Sequence, residues 1–242
     1  NHGWAQNNPT PRYALKCFWS CELLRLMGMP PTVLEMPGGS PSDTPPILKE
    51  DLQACYYANL AMGMKGMNLY IYTGGPNVPG TGETCDIYDY NALIRADGSE
   101  NETFAAFRDF GGFTAKNGWM QRASLAANVQ LGFEWDATRA AGLDYAGQKF
   151  TLSGSWDFMQ HGLLYGLFCS HHRPKLQPLD RSLDKTMPLL IPTASAMSRQ
   201  AQQNIIDFVS GGGHAILMGA MPETDLEYNP CTVLKEFLGN PR

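Results

Sequence analysis

Apolar and polar residues fall into two textures along this chain, and the texture changes near residue 123. In the first, apolar residues recur at helical spacing over Ala14, Cys17, Phe18, Cys21 and Leu24. Thr10-Pro11 supplies a hydroxyl cap and a proline suited to the first helical position, and Gly28 with Pro30 ends the segment. Thr32-Val33-Leu34 reads as a short strand closing on Glu35, followed by a Pro-rich polar loop from Gly38 to Pro46. A second helix is expected from about Leu48 to Met64, then a strand over Met67-Asn68-Leu69-Tyr70-Ile71-Tyr72. About thirty residues separate the two strands, the length of one βα unit in a parallel sheet. The apolar residues of the second strand do not alternate, as expected where both faces are covered. From Thr73 to about Glu100 the sequence is rich in Gly, Pro and aromatic residues, and so long a connection is usually functional. A helix from about Asn101 to Asn117 turns Phe104, Phe107 and Phe110 or Gly111 toward a core.

Beyond residue 123 strands and helices are shorter and alternate. Ala126 to Phe133 reads as a strand, and Ser155 as the cap of a helix from Trp156 to about Ser170. Lys175 to Leu179 reads as an edge strand and Met187 to Pro192 as a buried one. Ser198 to Ser210 is amphipathic and stops at Gly211-Gly212-Gly213, and Ala215 to Met218 is another strand. This order argues a parallel sheet with helices on its faces. The glycine run follows a helix, whereas phosphate binding uses a run that opens one, so it reads as a turn. The expected organisation is α/β in two domains, residues 1–122 and 123–242.

Composition removes several function classes. An apolar fraction of 43% with 17% charged residues describes a globular protein. The net charge of -5 and the lack of a basic run interleaved with aromatics argue against nucleic acid as a partner. No apolar stretch nears the roughly 18 residues that span a bilayer. The six cysteines do not fall at metal-ligand spacing; Cys17 and Cys21 read as small buried residues on one helix face. No metal and no cofactor is expected. The chain opens on Asn1-His2-Gly3-Trp4 without Met, and the expectation is a piece of a longer protein.

Glu35 is the residue that carries chemistry. A carboxylate at the end of a buried strand sits where α/β barrels hold their catalytic groups, although an isolated glutamate there is more often a cap or an ion-pair member. Three segments occur in order: Leu34-Glu35-Met36-Pro37-Gly38-Gly39, then Gly63-Met64-Lys65-Gly66-Met67-Asn68-Leu69-Tyr70-Ile71-Tyr72-Thr73-Gly74-Gly75-Pro76-Asn77, then Tyr88-Asp89-Tyr90-Asn91-Ala92. Together they resemble the end of a family 35 β-galactosidase barrel. The chain departs from that family at Thr73, Pro76 and Asn91.

That resemblance implies the last two βα units of a TIM barrel, with Glu35 as nucleophile and Tyr70, Tyr88, Tyr90 and Asn77 as candidate substrate-binding residues, either Tyr88 or Tyr90 facing the sugar. Glu83, Asp86 and Asp89 read as hydrogen-bonding or surface groups. The acid/base carboxyl is expected on an earlier strand, upstream of residue 1. The second half resembles the flavodoxin-like, glutamine-amidotransferase-like domain that follows the barrel in family 42 β-galactosidases, here in partial form. In that family it supports trimers, which implies a homo-oligomer through this domain. No Gly-x-Cys-x-Gly elbow is present, so amidotransferase chemistry is not expected. The expected function is a retaining glycosidase for β-galactosides or related β-linked sugars, with carbohydrate as its partner. The alternative is a noncatalytic carbohydrate-binding or assembly protein with a degenerate barrel.

Overall fold

The computed structural model describes residues 11–39, 47–81, 86–89, 91–140 and 151–240. The chain divides into two compact units, Asn1–Leu125 and Ala126–Arg242.

In the first unit, helix α1 (Pro11–Leu26) leads into strand β1 (Thr32–Pro37), helix α2 (Lys49–Ala61) and strand β2 (Gly66–Tyr70). Gly28 at φ +74° turns the chain out of α1, where the Met29 amide donates back to the Leu24 carbonyl at 2.9 Å. At the start of α2, Asp51 accepts from the Leu48 amide at 3.1 Å. β1 and β2 pair in parallel, as a βα crossover requires. Their inward side chains, Val33 and Met36, meet Cys17, Cys21, Leu52, Cys55 and Tyr56 in one core, with Phe110 of helix α3 (Phe104–Lys116) completing it.

Strand β2 is shorter than its apolar run predicts. Pairing stops at Tyr70 because Ile71 adopts φ +58°, a left-handed conformation that a β-branched residue resists. The connection after it is also more ordered than its composition suggests. It holds a hairpin of β3 (Gly75–Pro76) and β4 (Ile87–Tyr88), and bridges tie Thr73 to Ile94 and Ile94 to Glu100.

The second unit is a four-stranded parallel sheet in the order β6-β5-β7-β8. Its strands are β5 (Val129–Phe133), β6 (Pro174–Pro178), β7 (Leu189–Thr193) and β8 (Ala215–Gly219). Short helix α4 (Trp135–Ala140) follows β5. Every residue of β5 is buried, as befits a strand with neighbours on both sides and helices over both faces. Gln130 is accommodated there because its side chain is fully bonded. Its amide donates to the Asp184 and Met187 carbonyls at 2.7 and 3.0 Å, and its carbonyl accepts from the Asp184 amide at 3.1 Å.

The helix between β5 and β6 begins earlier than Trp156. Thr151, not Ser155, is its cap, accepting from the Gly154 amide at 3.0 Å. It runs as α5 (Leu152–Asp157), a π-helical turn (Phe158–Leu163) and α6 (Leu164–Cys169). Ser155 lies inside it and donates to the Pro192 carbonyl at 2.9 Å. Helix α7 (Arg199–Ser210) is capped by Ser198 and buries Ala201, Ile205 and Phe208. Gln202 is buried on the same helix and reaches forward, donating to the Met197 and Cys231 carbonyls and accepting from the Leu234 amide at 3.1 Å. This fixes helix α8 (Val233–Phe237), which the sequence pattern did not reveal.

Candidate active site

Strand β1 does not alternate regularly. Val33 pairs with Met67 and Met36 with Leu69, so Leu34 and Glu35 together stand opposite the single residue Asn68. Such a bulge re-aims the side chains around it. Without it, Glu35 would share the face of Val33, which is buried against the helices. With it, Val33 and Met36 both point into the core, and Leu34 and Glu35 are exposed. On β2, Met67 and Leu69 pack on that core, whereas Asn68 and Tyr70 are exposed. Glu35, Asn68 and Tyr70 thus lie on one solvent-facing side of the sheet, near its carboxyl edge.

The chain just after Glu35 is held closely. The Gly38 and Gly39 amides both donate to the Tyr70 carbonyl, at 2.9 and 3.3 Å. A side chain on Gly38 would begin 2.7 Å from the Ile71 carbonyl oxygen, so only glycine fits.

Tyr88 and Asn77 belong to the hairpin. Tyr88 pairs with Gly75, and the Asn77 amide donates to the Asp86 carbonyl at 2.8 Å. The Tyr88 ring covers Gly75, and Gly74 packs against the Asp89 carboxylate, which accepts from the Ala96 amide at 2.7 Å. These two glycines therefore make room for their own hairpin, which accounts for them without a ligand. Tyr90 and Glu83 lie outside the described residues.

Cys17, Cys21 and Cys55 are buried free thiols. Burial pushes Cys17 up to about 11 and Cys21 up to about 12, so both stay protonated and inert. Among the described residues no group of three or more His, Cys, Asp or Glu is placed to hold a metal, and no helix is long and apolar enough to cross a membrane.

The second unit carries a feature that pattern reading missed. Glu134 follows the last residue of β5, between β6 and β7, where the strand order reverses. Its carboxylate accepts from the Ser198 amide at 3.3 Å, and burial raises its pKa above the usual carboxylate range against the opposing pull of that bond. Open α/β sheets bind ligands at such switch points, but Phe133, Trp156, Met159, Leu179 and Met197 close tightly around this one. The sequence signal was a carboxylate directly after a short, mainly apolar strand, the same one that marked Glu35.

Residues 159–242 match the family model described as GLMA-like, second domain. An exo-β-D-glucosaminidase of Pyrococcus horikoshii is 28% identical over 205 residues, covering 80% of this chain and 26% of that protein. A β-1,2-glucosyltransferase of Ignavibacterium album is 25% identical over 212 residues, covering 78% of the chain and 29% of its own length. Among solved structures, a family 42 β-galactosidase of G. stearothermophilus superposes with a TM-score of 0.72 at 12% identity, covering 97% of this chain and 35% of that one. The fold is that of the TIM-barrel glycosidases, as a partial barrel followed by a parallel-sheet domain. The chain spans between a quarter and a third of the length of the curated relatives it matches.

Proposed function

We propose that this chain contributes the nucleophile side of a retaining glycosidase for β-linked sugars. The observation that carries the reading is the bulge at Leu34-Glu35, which brings Glu35 onto the exposed face of Asn68 and Tyr70 at the carboxyl edge of parallel strands. Barrel enzymes do their chemistry at that edge. In the reaction, a Glu35 carboxylate oxygen attacks the anomeric carbon and the bond to the leaving group breaks. Water then releases the sugar, so the configuration is retained. Tyr70, exposed on the same side of the sheet as Glu35, orients the attacking group or the sugar, Asn77 contributes to sugar binding, and either Tyr88 or Tyr90 faces the sugar. The second carboxyl, which protonates the leaving group about 5 to 5.5 Å from the nucleophile, comes from a part of the protein beyond these residues. The substrate is a β-galactoside or a related β-linked sugar; the glucosaminidase relative makes β-glucosaminides the first alternative to assay.

The test uses the full-length protein and a panel of aryl β-glycosides. Glu35→Gln keeps the shape and removes the attacking charge. Hydrolysis of the best substrate falls by several orders of magnitude, on the order of 4 kcal/mol or more in barrier. Glu35→Gly with added azide yields the α-glycosyl azide, because only one displacement has occurred. Unchanged turnover in Glu35→Gln would end the assignment, and a β-azide product would move Glu35 to the acid/base role.

A further inference from the structure

A bulge aims a side chain but does not hold it. At Leu34-Glu35 the parallel pairing is interrupted, so this stretch is less constrained by the ladder than the rest of β1. The backbone on its carboxyl side is held by the residues that follow. Tyr56 of α2 is fully buried, and its hydroxyl donates to the Pro37 carbonyl at 2.8 Å. On the other side the Gly38 and Gly39 amides are fastened to the Tyr70 carbonyl. The chain two to four residues after Glu35 is therefore pinned from beneath by a helix and from the side by β2.

The ring of Tyr56 is accounted for by packing, with Phe110 at 5.4 Å between centroids. A phenylalanine would serve that contact equally well. What the hydroxyl adds is a bond to the backbone just past the bulge, in a core whose other side chains, Leu52, Cys55 and Met36 among them, are mostly apolar, with the buried Asn59 amide bonded back to the Cys55 carbonyl. A buried hydroxyl needs a partner, and this one spans nineteen residues of sequence to reach β1 instead of bonding within its own helix.

We infer that Tyr56 is a positioning residue: its hydroxyl, through the Pro37 carbonyl, sets the approach of the Glu35 carboxylate to the anomeric carbon. This rests on Glu35 being the nucleophile. Displacement at carbon is steep in geometry, and a shift of about 1 Å in an attacking group can cost a hundredfold in rate. Losing the tether therefore slows attack more than it weakens sugar binding.

The experiment is inactivation of the full-length protein by a dinitrophenyl 2-deoxy-2-fluoro-β-glycoside of its preferred sugar. A Glu35 oxygen bonds to the anomeric carbon while dinitrophenolate departs without needing a proton. The step thus reports on the nucleophile apart from the acid catalyst, and the labelled peptide identifies the attacking residue. In the wild-type protein the label falls on Glu35. In Tyr56→Phe the rate constant of labelling drops roughly ten- to a hundredfold, with the inhibitor's dissociation constant changed no more than about twofold. Rates are taken at low temperature and referred to the folded fraction, so a loss of stability does not mimic the effect. Phe110→Leu is the control, since it loosens the same core and leaves the hydroxyl bond in place.

Label on Glu35 at the wild-type rate in Tyr56→Phe would overturn the positioning role and leave the nucleophile standing. Equal slowing in Phe110→Leu would overturn it too, by assigning the loss to core packing. Label on a different residue in the wild-type protein would overturn the nucleophile and this role together.

Discussion

Ile71 shows how a single residue shapes this site. It directly follows Tyr70 and sits at φ +58°, where an L-residue with a branched Cβ crowds its own backbone at a cost of about 1–2 kcal/mol. That conformation places the Ile71 carbonyl against Gly38 and allows the two amides after Pro37 to reach Tyr70. Strain of this kind persists where the surroundings over-determine it, often at functional sites. Replacing Ile71 with Asn, which tolerates the left-handed region, is expected to stabilise the protein by about 1 kcal/mol in a denaturant titration. A loss of stability instead would show that the isoleucine side chain contributes more by packing than its backbone costs. Gly38→Ala is expected to act in the opposite direction, because a Cβ would meet a backbone oxygen with little freedom to move. A cost of about 1–3 kcal/mol follows, with loss of activity if Glu35 shifts along with the loop.

At the scale of elements, sequence-local rules decided where helices start and stop, and pairing decided where strands do. Helix α7 begins at Ser198 as its cap and hydrophobic spacing suggest, because the hydroxyl accepts from the Ala201 amide at 3.1 Å. Ser198→Ala is expected to cost about 1 kcal/mol in thermal or chemical unfolding. Helix α5 starts four residues before the helix that Ser155 suggests, for a reason in the same physics. Thr151 and Ser155 both carry a hydroxyl and are both placed to cap, but the Ser155 hydroxyl is engaged by the Pro192 carbonyl of β7. Only the fold reveals that competing partner. β2 ended early for the corresponding reason, since hydrophobic content does not report a left-handed residue.

At the scale of the molecule, the four-stranded sheet carries a titratable group that ties its stability to pH. Glu134 binds its proton more tightly in the folded state because burial penalises the carboxylate. Between the unfolded value near 4.5 and the raised folded value, the native state holds more protons than the unfolded one. Stability therefore declines as pH rises through that window and is unaffected by this group below it. Glu134→Gln retains an acceptor for the Ser198 amide and cannot ionise. Its melting temperature is expected to exceed the wild-type value at neutral pH, with the gain shrinking toward pH 4.5. A gain independent of pH would point to packing instead of ionisation.

What the sequence determined by itself was the order of the longer strands and helices, the change of texture near residue 123, and Glu35 as the residue to examine. These follow from periodicity, capping residues and spacing, all of which act over a few neighbours in the chain. Tertiary structure decided which way Glu35 faces. Strict alternation from Val33 would bury it, and only the register against β2, with Leu34 and Glu35 both opposite Asn68, turns it outward. It also decided that Gly74 and Gly75 serve the hairpin and that the Tyr56 hydroxyl belongs to β1. Each is a contact between residues distant in sequence. Such contacts depend on which backbone groups remain unpaired once the sheets have formed, and no local pattern encodes that.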